Sequence, residues 1–122
     1  PAELAVRVRA ALIEVRAAIV IPCYNEAKRL QPELFRAYVN ARPEVCFLFV
    51  DDGSTDGTMA VLEQLRAGHE DRIWAFRQEP NQGKAEAVRR GMREALVLEF
   101  PLAGFWDADL ATPLESIGSF LD

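Results

Sequence analysis

Two cysteines, Cys23 and Cys46, are all that the 122 residues contain, too few for a disulfide framework. Both fall in apolar stretches and read as buried strand thiols of a reducing compartment. A basic surplus is missing as well. The formal net charge is -5, and apart from Lys28 and Lys84 every cationic side chain is an arginine. Nucleic acid and anionic membrane surfaces need a basic face, so no nucleic-acid partner is expected. No apolar run approaches the ~20 residues of a membrane-spanning helix; the longest lie around Ala17–Ile21 and Val45–Val50. The N-terminus shows no continuous apolar core of a secretory signal. Histidine occurs once, as His69 in the polar stretch "AGHED", a surface position rather than a ligand. G-x-G-x-x-G is absent, which counts against a dinucleotide oxidoreductase. The G-K of "NQGKAEA" lacks the upstream glycine of a phosphate loop, which counts against a Walker-type NTPase. Internal repeats and low-complexity segments are missing too.

What remains suffices for one domain, expected over residues 1–122, with 50% hydrophobic residues to build its core. Leu4, Val8, Ala11, Leu12 and Val15 recur at helical spacing and predict an amphipathic helix over residues 2–14. "AAIVIPC" is a short continuous apolar run, the pattern of a strand buried on both faces. Pro32 suits the first turn of a helix whose stripe is Leu34, Phe35, Tyr38 and Val39. "VCFLFV" is a second buried strand. Asp56 is placed as the N-cap of a helix with Met59, Leu62 and Leu65 as its stripe, and Gly68 stops it. "RIWAFR" predicts a third strand. Residues 83–98 predict a helix with Ala85, Val88, Met92, Ala95 and Leu96 on one side. "AGFW" is a fourth buried strand, ending on Phe105 and Trp106. "TPLESIGSFLD" starts a last helix, with Pro113 in its first turn.

Strand and helix alternating in this way specify an α/β fold, a Rossmann-like parallel sheet with helices on both faces. Right-handed crossovers favour the strand order 3-2-1-4. Strands 1 and 4 are then neighbours, and ligands bind beyond their carboxyl ends, at the topological switch point. The polar motifs collect there: "PCYNE" after strand 1, "DDGSTDGT" after strand 2, "DADLATP" after strand 4. On an extended strand Asp107 and Asp109 would face the same way, with Cα atoms about 6.5–7 Å apart. Two such carboxylates repel unless a cation joins them. Mg²⁺ or Mn²⁺ accepts one or two carboxylates plus substrate phosphates. Asp109 is therefore the expected metal ligand, with Asp107 on a ribose or sugar hydroxyl or on the metal through water. Adjacent Asp51 and Asp52 must point to opposite sides. One can satisfy the N–H groups of the turn, and one can accept from a nucleobase imide or a ribose hydroxyl. Tyr24 offers an aromatic wall for a base and Glu26 another acceptor. Lys84 reaches a diphosphate or one of the acids. Ala85, Ala87 and Gly91 would let their helix lie close to the sheet. Each motif alone also has a purely structural reading, as a cap, a turn or a packed face.

Together, "IVIPCYNE", "VDDGSTDGT", "NQGKAEAVRRGM" and "DADLATP", in that order over residues 19–113, resemble family 2 glycosyltransferases of the GT-A fold. The third and fourth motifs are most similar to the branch that moves glucose or mannose from a nucleotide sugar (UDP-glucose or GDP-mannose type) to a polyprenyl or dolichyl phosphate. The resemblance implies an inverting glycosyltransferase that uses Mg²⁺ or Mn²⁺. It implies that Pro22, Tyr24, Glu26, Val50 and Asp52 line the nucleoside pocket. It implies that Asp107, Ala108 and Asp109 handle the ribose, the sugar diphosphate and the metal. Family catalytic domains run well past the D-x-D strand into a part that supplies the acceptor site and usually the base. The expectation is thus of the N-terminal half of a GT-A fold, short at its C-terminus, with its base beyond Asp122 and little transfer on its own. The open edge of strand 4 is then expected to be covered by self-association or by a terminal segment such as the first helix. The location implied is cytoplasmic, at most peripheral to a membrane.

Two other readings compete. A nucleotide-sugar-binding fragment without turnover is separated from an enzyme by a sugar-transfer assay. A receiver-type signalling domain also carries acids and a lysine at strand ends, but needs its acidic pair after strand 1, where this chain has "PCYNE". Cys23 and Cys46 should be unbridged. They fall at opposite ends of the sheet, and a disulfide needs Cα atoms within roughly 7 Å. Thiol titration of the unreduced, denatured chain should find both free.

Overall fold

The computed structural model describes residues 16–121, so the helix expected over residues 2–14 lies outside the described residues. Four strands, β1 (Ala17–Cys23), β2 (Val45–Asp52), β3 (Ile73–Gln78) and β4 (Leu102–Phe105), form one sheet. Its order is β3-β2-β1-β4, as expected, and every pairing is parallel. The connections carry α1 (Pro32–Ala41), α2 (Thr58–Arg66) and α3 (Lys84–Val97). After β4 a 3₁₀ turn at Leu114–Ser116 leads into α4 (Ile117–Leu121).

β2 is buried along its whole length, because it has a strand on either side and helices over both faces. Its alternate residues feed two cores. Phe47 and Phe49 pack with Phe35 and Val39 of α1 and with Leu62 and Leu65 of α2. Leu48 and Val50 pack on the other face with Ala87 and Ala95 of α3. Phe35 stands edge-on to Phe47 and Phe49, with centroids 5.3 and 5.1 Å away. Such pairs are worth roughly 0.5–1.5 kcal/mol each beyond the area they bury. Leu34, expected in the α1 stripe, is exposed instead.

α3 rests on the sheet through two of the three small residues expected there, Ala87 and Gly91, and through Ala95 of the expected stripe, with Met92 packed beside them. Its buried positions are Ala87, Gly91 and Ala95. Ala85 is exposed, and Leu96 is 75% exposed. The cause is distance: a Cβ on Gly91 would lie 2.3 Å from Val20 Cγ1. A row of small residues lets the helix settle on β1, so size, not hydrophobicity, selects the face.

Two further expectations are corrected. Gly57, not Asp56, occupies the N-cap position of α2. Asp56, one residue earlier, still accepts the Thr58 N–H at 2.9 Å. The Thr58 hydroxyl, donating to the same carboxylate, holds the Asp56 pKa below its ordinary value. β4 ends at Phe105, before Trp106, and is not buried: Leu102 is 44% and Phe105 51% exposed. Among the described residues its one sheet neighbour is β1, and an edge strand is covered from fewer sides. Cys23 and Cys46 are both free. In the β1–β2 register Cys23 is level with Asp51 and Cys46 with Ala18, at opposite ends of the sheet.

Gly53, just past β2, has φ +67°, and a Cβ there would lie 2.6 Å from the Asn81 nitrogen. Gly53→Ala should therefore destabilise the chain more than Gly91→Ala. At 91 the alanine gains about 1 kcal/mol of helix propensity against an overpacking cost of about 1–3 kcal/mol. At 53 a left-handed backbone costs about 1–2 kcal/mol, and the clash is with main chain that cannot rotate away. Urea denaturation midpoints of the two variants test this, and an unchanged midpoint for Gly53→Ala would refute the close approach of the two loops.

Candidate functional site

A cavity of about 520 Å³ opens beyond the carboxyl ends of β1, β2 and β4. Register explains why these ends meet. Pro22 pairs with Val50 across β1–β2, Val20 with Phe105 across β1–β4, and the Trp106 N–H donates to Val20 O at 2.9 Å. Pro22, Tyr24, Glu26, Asp52, Lys84, Asp107, Ala108 and Asp109 all line the cavity. Val50 does not: its side chain is fully buried in the α3-side core. Cys23, Asn81, Gly83 and Ala87 also line it and were not foreseen from the sequence. The asparagine and glycine carry a local signal, the loop-type run "EPNQG" before a helix.

Asp51 and Asp52 turn to opposite sides, as strand geometry requires. Asp51 is fully buried; its Oδ1 accepts the Ser54 N–H at 3.2 Å and its Oδ2 pairs with Arg77 Nη1 at 2.5 Å. Asp52, 3% exposed, faces the cavity. Its Oδ1 accepts Gln78 Nε2 and the Gln82 N–H, both at 2.8 Å. Its Oδ2 accepts Asn81 Nδ2 at 3.0 Å and the Gly83 N–H at 2.8 Å. A carboxylate has about four acceptor positions, and all four are engaged. The nucleobase acceptor expected at Asp52 is thus already committed to holding the 79–83 loop.

The loop after β1 is held from the β2–α2 turn. The Asn25 N–H donates to Ser54 Oγ at 2.9 Å, Asn25 Oδ1 accepts the Thr55 N–H at 2.9 Å, and the Glu26 N–H donates to Thr58 Oγ1 at 2.9 Å. Asn25 itself has φ 51°, which an asparagine tolerates. Glu26 Oε1 accepts from Arg29 at 2.7 Å, while Oε2 is buried with no hydrogen-bond partner among the described residues. An orphaned carboxylate oxygen in a cavity wall is an acceptor waiting for a donor. Tyr24 stands half-exposed at the rim.

Asp107 and Asp109 lie on a tight turn, not on an extended strand, so the spacing expected for them does not apply. Leu110, with φ 56°, closes the turn by donating its N–H to Asp107 O at 3.1 Å. Asp109 Oδ1 accepts the Ala111 N–H at 3.0 Å, and Trp106 Nε1 donates to Thr112 O at 2.8 Å. Ala108 is buried in the core between the two acids. Lys84 Nζ lies 2.6 Å from Asp107 Oδ1 and 5.9 Å from the centre of the Phe105 ring.

This donor set fits a hard divalent cation. Two carboxylates lie on one turn facing one cavity, and Mg²⁺ or Mn²⁺ takes one or two of them together with waters and phosphate oxygens. No three His, Cys, Asp or Glu side chains converge as a closed cage among the described residues, so the pair would be one side of a coordination sphere. Cys23 contributes no nucleophile: burial first, then Glu26 and Asp51, push its thiol far above the ordinary range.

Residues 18–122 match the sequence profile described as glycosyl transferase family 2. A polyprenol monophosphomannose synthase of Mycolicibacterium smegmatis is 32% identical over 107 residues, covering 88% of this chain and 40% of that protein. A dolichyl-phosphate beta-glucosyltransferase of Trichomonas vaginalis is 34% identical over 113 residues, covering 84% of this chain and 32% of that protein. The chain thus spans less than half the length of these relatives. Among solved structures, a mannosyltransferase from Pyrobaculum calidifontis in complex with GDP-Man and Mn²⁺ matches 66% of this chain and 24% of that one, with a TM-score of 0.57 and 29% identity. TarS of S. aureus in complex with UDP-GlcNAc matches 88% of this chain and 31% of that one, with a TM-score of 0.66 at 23% identity, a likeness of fold.

Two outcomes follow from the site geometry. Asp52→Asn sets an amide donor against donors already there. Losing a charge-assisted bond worth about 1.5–3 kcal/mol should speed amide exchange at Gln82 and Gly83 at least roughly tenfold, with Val20 and Leu48 still protected. Iodoacetamide at pH 8 should leave Cys23 unmodified in the folded chain and label it after denaturation. Labelling in the folded chain would contradict the burial.

Proposed function

The chain belongs to glycosyl transferase family 2, and on that premise we propose that the cavity binds the nucleoside diphosphate of a hexose donor, for inverting transfer to a polyprenyl phosphate. The observation that carries the reading is the meeting of three strand ends in one cavity, with Tyr24 after β1, Asp52 on β2 and the Asp107–Asp109 turn after β4. The acceptor class is taken from the polyprenol and dolichyl-phosphate relatives, and the donor and ion from the mannosyltransferase bound to GDP-Man and Mn²⁺.

Tyr24 presents a ring face on which a base can stack. The free Oε2 of Glu26 accepts an N–H of the base or a ribose hydroxyl. Asp52 acts at one remove, by holding the loop that ends in Gly83 and Lys84. Asp107 and Asp109 would hold the divalent ion against the donor's phosphates. When bound, that ion neutralises the charge gathering on the departing diphosphate. In the transfer, an acceptor oxygen bonds to the anomeric carbon from the face opposite the diphosphate. The bond from that carbon to the diphosphate oxygen breaks, and its electron pair leaves on the diphosphate. A phosphate acceptor is already anionic and needs little help from a base. None of the described residues is assigned that role.

A polyprenyl phosphate is met at a membrane surface. No described helix is long and apolar enough to cross a membrane, and the reading has the chain working at the cytoplasmic periphery. Because the chain spans 40% of the polyprenol relative, donor binding and sugar transfer are separate expectations. Binding is expected of these 122 residues; transfer is expected to be slight.

Calorimetry with GDP and UDP, with and without Mn²⁺, tests the reading. Binding should be weak without the ion, because the diphosphate meets carboxylates, and clearly tighter with it. Asp109→Asn should remove the enhancement and keep the fold, since the residue is exposed. Tyr24→Ala should cost about 1–3 kcal/mol of stacking with either state of the metal. If neither nucleotide binds in the presence of Mn²⁺, the reading fails.

A further inference from the structure

Lys84 is the single cationic side chain among the described residues lining the cavity, against Glu26, Asp52, Asp107 and Asp109. It does not hang free. Its ammonium lies 2.6 Å from Asp107 Oδ1, with the Phe105 ring behind it at 5.9 Å. It is the first residue of α3, immediately after Gly83, whose N–H is fixed on Asp52 at 2.8 Å. The buried carboxylate therefore fixes where the lysine stem starts, and Asp107 takes its far end. Both side chains of the ion pair are more than half exposed, at 60% and 53%. An exposed pair of this kind is worth a factor of about five or less in an equilibrium constant, so it forms readily and exchanges readily.

We propose that Lys84 is the resident counter-cation of Asp107, and that a divalent ion and a diphosphate bind this site by exchanging that pair. This rests on the nucleotide-sugar reading of the cavity. An ion arriving at Asp107 meets a cation already on the carboxylate, and the two positive charges repel. The lysine must leave as the ion enters. A diphosphate arriving alone recruits the same ammonium and strips Asp107 of its partner. Either ligand by itself loses the ion pair; both together lose it once, with the ion on Asp107 and the freed ammonium on the phosphates. Lys84 thereby couples metal and diphosphate binding positively, in addition to any direct contact between the two.

The test is a double-mutant cycle read by Mn²⁺ electron paramagnetic resonance on the 122-residue chain without nucleotide. Lys84→Met should bind Mn²⁺ about two- to fivefold more tightly than the unaltered chain, and Lys84→Arg should not. In an Asp107→Asn background the same Lys84→Met change should have no effect. An equal gain in that background would mean that the lysine acts as a diffuse field on the whole site, and would overturn the proposal, as would no gain at all. The second arm measures by what factor Mn²⁺ raises the affinity for GDP or UDP, and that factor should fall in Lys84→Met. An undiminished factor in a chain that binds Mn²⁺ and nucleotide normally overturns the exchange and leaves the glycosyltransferase reading intact. Failure of the unaltered chain to bind any nucleoside diphosphate removes that reading instead, and the Mn²⁺ cycle still decides whether Lys84 guards Asp107.

Discussion

A carboxylate almost out of reach of water sits at the end of the central strand, and the walls of the cavity are arranged around it. Taking an ionised carboxylate out of water costs several kcal/mol unless its lone pairs are met. Asp52 meets that cost with donors from Gln78, Asn81, Gln82 and Gly83. The dependence is mutual. Residues 79–83 form no helix or strand, so their inward N–H groups would otherwise be orphaned. Asp51, one residue earlier and facing the other way, does the same for the turn at Ser54 with the help of Arg77. Two adjacent carboxylates thus hold loops on both sides of β2. Gly53 between them and the turn is the consequence: the loops lie so close that a Cβ there would strike Asn81.

The same constraint accounts for the other acids. The N–H-rich loop is consumed by Asp52, and among the described residues Lys84 is left as the cation of the cavity wall. Asp109 spends one oxygen on the Ala111 N–H, and Glu26 keeps one oxygen buried without a donor among the described residues. The cavity's acids outnumber its one cation among the described residues, which disfavours a bare anion. An apolar strand can end on two like charges because the turn carrying them is anchored elsewhere. Ala108 is sunk in the core, and Trp106 is tied to Thr112, so the acids are positioned without needing each other.

Much of this was legible in the sequence. The alternation of apolar runs with helical stripes specified the parallel sheet and its order. The switch-point rule then gathered "PCYNE", "DDGSTDGT" and "DADLATP" into one place. What was not legible was decided by contact between distant segments. The partners of Asp52 lie 26 to 31 residues away, so its saturation could not be read from "DDGS" alone. The face of α3 is legible in its small residues, since Gly91 packs close on Val20, and not in its apolar stripe, where hydrophobicity favours Leu96, which stays exposed. The extended spacing expected for Asp107 and Asp109 fails because the strand stops at Phe105, one residue before the expected Trp106, and the left-handed Leu110 closes a turn onto Asp107. Val50 came with the family resemblance; it shares the face of Asp52 but stands one step further back along β2, fully buried beneath α3 with Leu48 and Ala87.

The two kinds of carboxylate in this cavity differ in what they can do, and the difference is one of burial. Asp52 exchanges no partner without unfastening a loop, so it can shape a binding site but not respond to a ligand. Asp107, half in water and paired with a lysine as exposed as itself, gives up its partner at little cost. The first requires a low local dielectric and several donors; the second requires solvent. Among the described residues β2 ends between β1 and β3, while β4 has β1 as its one sheet neighbour. The sheet order therefore does more than bring the motifs together: it gives the site a fixed wall on the central side and an exchangeable ion pair on the outer one.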